Sequence, residues 1–111
     1  MDNQTKLLLN KAINYSIKGD LVNASKYYRA ALEFDSENFD ILQNLGIICF
    51  QLGNLNESIT FLLKAQNLQK DNPTLNYNLA TILMLQNNNL DAIKFYENAV
   101  KFKSDDYWIN L

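Results

Sequence analysis

The chain repeats itself every 34 residues without insertion or deletion, so that residues 5–38, 39–72 and 73–106 align end to end within a length of 111. A period of this length marks a stack of supersecondary units, each too small to bury its own apolar face. With positions numbered 1 to 34 in each unit, position 8 holds Ala12, Gly46 and Ala80. Position 20 holds Ala24, Ser58 and Ala92, and position 27 holds Ala31, Ala65 and Ala99. Small residues recurring in this way mark places where two helices approach closely, and large residues fill the space beside them. The large ones are Tyr15, Cys49 and Leu83 at position 11, Tyr28, Leu62 and Tyr96 at position 24, and Phe34, Leu68 and Phe102 at position 30.

Local chemistry divides each unit into two helices. Three glycines and one proline in the whole chain leave few breaks, which favours helix. Helix A is predicted over about positions 1–14 and helix B over about 17–31, with a short turn between. Position 15 holds Gly19, Gly53 and Asn87, residue types that tolerate a left-handed backbone just after a helix. Position 34 holds Asn38, Asn72 and Asp106, all good N-caps for the next helix A. Pro73 then falls on the first helical position, where a missing N–H costs nothing. The expectation is an all-α solenoid of three antiparallel helix pairs, with residues 107–111 beginning a truncated seventh helix.

Composition excludes several functions. The net charge of −2 argues against a nucleic-acid or membrane-surface binder, which needs a basic excess. No apolar run reaches the roughly 18 residues of a transmembrane span. The first twenty residues contain Asp2 and no long apolar centre, so they do not read as a signal peptide. Cys49 is the one cysteine and cannot form an internal disulfide, which fits a reducing, cytoplasmic setting. There is no histidine, the commonest general base and metal ligand. No catalytic residue, metal site or cofactor is expected. Cys49 occupies a core-facing position and reads as an inert small hydrophobe. Asp105 and Asp106 read as a cap and a solvated surface, and Tyr27, Tyr28, Phe95 and Tyr96 as packing residues.

The 34-residue period with small residues at positions 8, 20 and 27 resembles the tetratricopeptide repeat. The likeness covers nearly the whole chain. It departs at position 32, where the family usually has proline and this chain has Ser36, Lys70 and Ser104. The resemblance implies a right-handed superhelix whose A helices line a concave groove, and a protein-interaction module rather than an enzyme.

One row of residues gives that groove chemical content. Position 6 is asparagine in all three units: Asn10, Asn44 and Asn78. On a helix, positions 4, 8 and 11 lie about 140–200° from position 6, so position 6 points away from its own hairpin's core. Positions 2, 9 and 13 lie within about 60° of it. The shared face carries Lys6, Ile13 and Ile17 in the first unit, Asp40, Ile47 and Gln51 in the second, and Thr74, Thr81 and Leu85 in the third, with Tyr77 and Met84 near its edge. A carboxamide has one acceptor and two donors, and can meet both the C=O and the N–H of an extended peptide. The row therefore reads as a ladder for a peptide backbone. The competing reading is that the row is compositional, since 17 of 111 residues are asparagine, or serves the fold by bonding between neighbouring A helices.

The resemblance also allows a narrower function to be tested. Some repeats of this family hold the C-terminal carboxylate of heat-shock chaperones in a basic clamp. The matching positions here are Leu9, Ile13, Asn44, Thr74 and Asn78, and only Asn44 suits the role. Without a cation the clamp is not expected. A second class of reading takes the chain as a support domain of a larger enzyme such as a glycosyltransferase, because Met1 reads as a start and the chain stops within a helix. A third concerns the C-terminal end. Tyr107, Trp108, Ile109 and Leu111 are too few to cover the last unit's apolar face, expected to include Leu79, Leu83 and the outer side of helix B. Self-association through this end, to a homo-oligomer, is therefore expected.

Overall fold

In a computed structural model, residues 2–102 form six α-helices and, among these described residues, no strand. The helices are α1 (Asn3–Ile17), α2 (Leu21–Phe34), α3 (Phe39–Gln51), α4 (Leu55–Leu68), α5 (Pro73–Leu85) and α6 (Asn89–Lys101). They pair as α1–α2, α3–α4 and α5–α6, and each hairpin stacks on the next through α2–α3 and α4–α5. Residues 103–111, with Asp105, Asp106, Tyr107, Trp108, Ile109 and Leu111, lie outside the described residues, and so does the expected seventh helix.

The turns follow the chemistry expected of them. Gly19, Gly53 and Asn87 adopt φ of +80°, +86° and +62°. Asn38 and Asn72 cap α3 and α5, their side-chain oxygens accepting from the amides of Ile41 (3.1 Å) and Leu75 (3.0 Å). The B helices begin on caps that the repeat alignment had not marked: Asp20 accepts from the Asn23 amide at 3.2 Å, and Asn88 from that of Asp91 at 3.4 Å. Where the family has proline, side-chain bonds hold the turn instead. The Asn38 amide donates to the Asp35 carboxylate at 2.9 Å, and the Asn72 amide to the Gln69 side chain at 3.2 Å.

The nine small residues at positions 8, 20 and 27 are all buried. Ser58, the polar one, donates its hydroxyl to the Gly46 carbonyl at 2.7 Å, so its burial leaves no unpaired group. One core cluster gathers around Ala12, Tyr28, Leu45 and Cys49, a second around Leu62, Leu75, Leu79 and Phe95. Leu32 and Phe61 pack against both, which makes the core continuous along the stack. Arg29 of α2 reaches over the outside of the same junction: its guanidinium is 2.8 Å from Glu57 of α4 and lies over the Phe61 ring. Both charged side chains are about half exposed, so the pair contributes orientation more than stability.

Three packing expectations need correction. Phe34 and Leu68 fill no interior space; as the last residues of α2 and α4 they project past the helix crossing and are exposed. Leu79 and Leu83 are not part of an open end face. Both are buried in the second core cluster, because α5 packs on α4 as well as on α6. Asn76 departs in the other direction. It stands at the core-facing position 4, occupied elsewhere by Leu8 and Leu42, and is fully buried. Its amide donates to the carbonyls of Lys70 (3.0 Å) and Asn72 (2.8 Å), tying the α4–α5 turn to α5.

Gly46 tests the close approach directly. A Cβ there would lie 2.6 Å from Cγ of Leu62, which is itself fully buried. Overpacking of this kind costs about 1–3 kcal/mol. Alanine regains at most about 1 kcal/mol of helix propensity. Gly46→Ala is therefore expected to lower the melting temperature, whereas Gly46→Ala combined with Leu62→Ala relieves the clash; a raised melting temperature in the single variant would contradict this packing.

Candidate functional site: the open face of the A helices

Helix geometry places the ten candidate groove residues on the accessible side of α1, α3 and α5. Positions 8 and 11 are buried in the second and third units, while no candidate is buried: Asn10, Ile13, Ile17, Asn44, Gln51 and Leu85 are exposed, and Ile47, Tyr77, Asn78 and Thr81 are half-buried. Five of the ten come together in one pocket. Ile47 and Gln51 of α3 and Tyr77, Asn78 and Thr81 of α5 line a cavity of about 230 Å³, joined by Phe50 and Ile82. Asn10, Ile13, Ile17, Asn44 and Leu85 lie outside that pocket.

Phe50 and Ile82 were missed in the sequence. Ile82 follows Asn78 by one helical turn, about 40° around the axis, so it shares the face. Its burial between helices had no signature of its own, since position 10 also carries Asn14. Phe50 sits at position 12, the edge position already marked in the third unit by Met84.

The pocket's wall is braced from behind. The Thr81 hydroxyl donates to the Tyr77 carbonyl at 2.9 Å and lies 3.1 Å from the Tyr96 hydroxyl of α6. The Tyr77 and Tyr96 rings meet edge-on with centroids 5.7 Å apart. Helix B of the third unit thus fixes two side chains that line the groove. No lysine, arginine, aspartate or glutamate lines the pocket.

The amide row has free hydrogen-bonding capacity. Within the described residues, none of Asn10, Asn44 and Asn78 has a side-chain hydrogen-bond partner. The alternative in which they bond between neighbouring A helices is therefore absent from this structure. Cys49 is fully buried, with the Arg29 guanidinium 3.5 Å from its sulfur. Burial pushes its thiol pKa up, and Arg29 only partly opposes this, so the thiolate a nucleophile needs is disfavoured. Among the described residues no group of acidic or cysteine side chains could hold a metal ion, and no helix is long and apolar enough to cross a membrane.

Three stacked helical hairpins with an open groove along their first helices define an α-solenoid interaction scaffold. The tetratricopeptide-repeat family model matches residues 5–38, 39–72 and 73–106, and the chain belongs to that family. Among curated proteins, none matches the sequence. Solved structures are similar in fold. A tetratricopeptide repeat protein from Parabacteroides merdae is 25% identical, with a TM-score of 0.85 over 89% of this chain and 40% of its own. The O-GlcNAc transferase of Thermobaculum terrenum is 24% identical, with a TM-score of 0.80 over 92% of this chain and 20% of its own. The second repeat domain of Spaghetti, bound to the HSP90 peptide SRMEEVD, is 13% identical, with a TM-score of 0.83 over 91% of this chain and 94% of its own. The chain thus spans well under half the length of the first two.

Because the three amides hold nothing in the fold, replacing them should be nearly silent for stability. The triple variant Asn10→Ala, Asn44→Ala, Asn78→Ala is expected to unfold within about 0.5 kcal/mol per site of the parent chain. A loss of several kcal/mol in urea denaturation would return the row to a structural role.

Proposed function

We propose that this chain is a non-enzymatic protein-interaction module that binds an extended peptide along its A helices. The observation that carries the reading is the unpartnered amide row beside an apolar pocket. Each carboxamide can accept from a peptide N–H and donate to a peptide C=O. The pocket between α3 and α5 has an apolar floor of Ile47, Phe50 and Ile82 with Gln51 and Asn78 beside it, and fits one aliphatic or aromatic side chain of the ligand. The absence of charge around it favours an uncharged segment. The peptide-bound neighbour supports the use of this fold for peptides. Its acidic peptide is a poor guide to the sequence bound here, because Leu9, Ile13, Thr74 and Asn78 stand where a basic clamp needs its other polar and cationic groups.

The reading in which the chain supports a larger enzyme rests on the fold it shares with the transferase. It concerns what the module is attached to, and leaves the groove's chemistry unchanged.

An array of immobilised peptides, probed with the parent chain and with the triple alanine variant, tests the proposal. Uncharged peptides carrying a leucine or phenylalanine are expected to be retained. Loss of three amide ladders, each contributing about 1 kcal/mol, should weaken them by roughly tenfold or more. Equal retention by both proteins would reject the ladder, and preference for acidic C-terminal peptides would reject the uncharged ligand.

A further inference from the structure

The two ends of the stack are chemically unlike. Inside it, the outer face of each B helix is covered by the next A helix, through positions 3, 7 and 10: Ile41, Leu45 and Ile48 on α3, then Leu75, Leu79 and Ile82 on α5, all buried. The first unit presents Leu7, Lys11 and Asn14 at those positions, and all three are exposed. That end is finished with polar groups. The last B helix is not. Ile93 and Val100 of α6 are 52% and 53% exposed, whereas Ile59 and Leu32, at the same two positions on α4 and α2, are packed into the core. Leu90, one turn earlier, is 84% exposed.

We infer that the outer face of α6 pairs with the same face of a second copy, about a two-fold axis with the two α6 helices antiparallel. A head-to-tail stack would bury Lys11 and Asn14 against Ile93 and Val100 and leave a charge unpaired, which is costly. The two-fold arrangement buries apolar on apolar. Charge favours it as well. The cavity on this face, about 360 Å³, is lined by Ile93, Tyr96, Val100, Glu97 and Lys101. Glu97 lies at the edge of the apolar stripe, beside Lys94 and Lys101. In an antiparallel pair an edge meets the same edge of its partner, so Glu97 of one copy comes opposite Lys94 of the other, twice by symmetry. One helix from each copy makes a small interface, and the association is roughly micromolar or weaker. This surface is separate from the peptide groove and does not depend on it. It also gives the expected self-association a contact within the described residues rather than in residues 107–111.

Sedimentation velocity on the full chain over a wide concentration range reads the prediction. The parent chain should pass from monomer to dimer. Ile93→Asp, at an exposed site that leaves helix content unchanged, should weaken the dimer at least about tenfold. Glu97→Lys alone should weaken it several-fold, and Glu97→Lys with Lys94→Glu should restore it, because the swapped pair is again complementary. The groove triple variant should dimerise like the parent. A monomer at all concentrations, a dimer indifferent to Ile93→Asp, a charge swap that fails to restore association, or dissociation by the groove variant would each overturn the two-fold α6 contact.

Discussion

Everything in this molecule depends on how closely two helices can approach at three recurring points. Ala12, Ala24 and Ala31 in the first unit have counterparts in Gly46, Ser58 and Ala65, and again in Ala80, Ala92 and Ala99. At these points the side chains are so small that the helices pack nearly backbone to backbone. Large neighbours such as Tyr28 and Leu62 then have walls to fill against. The second unit shows how tightly the parts are matched. Leu62 replaces the tyrosine of the other two units, its branched γ-carbon sits over position 8, and that position has lost its methyl group. Once the hairpin is set, one side of each A helix is committed to its own helix B. Position 6, opposite that side, is left for solvent or a ligand.

Much of this was legible because it is local. Gly19, Gly53 and Asn87 announce a left-handed residue by type alone, and Asn38 and Asn72 announce caps by their place before an apolar run. The small-residue period located the crossings. What stayed hidden depends on which neighbour covers a given face. Leu79 and Leu83 have the periodicity of any amphipathic helix, and nothing in it says that α4 reaches them. Phe34 and Leu68 look like core by composition, and their exposure follows from standing one residue past the last crossing. Asn76 inverts the rule, a polar residue at a core position whose partners, the carbonyls of Lys70 and Asn72, exist only once the turn has formed. The groove was legible as a face but not as a pocket, since Phe50 and Ile82 join it through the spacing of α3 and α5.

The amide row and the Thr81–Tyr96 brace assign different work to the two helices of a unit. Helix A displays and helix B supports. Tyr96 sits on α6, yet through its hydroxyl and ring edge it holds the Thr81 and Tyr77 side chains on α5. A change on the supporting helix can therefore alter the groove without touching a ligand. Cys49 and Arg29 belong to the supporting side too, where the guanidinium, the Phe61 ring and Glu57 lock the first hairpin to the second.

The strong packing runs from each helix to the next in sequence, along a body 38 Å long. Such a molecule responds to load as a short spring does. Tension applied between its ends is carried serially, so the weakest junction yields first and its neighbours keep their shape. Arg29 and Glu57 stiffen the first junction, and no comparable ion pair bridges α4 to α6 among the described residues. Under a stretching load the last hairpin would peel away while the first two remained a folded unit, and the curvature of the groove would change from that end.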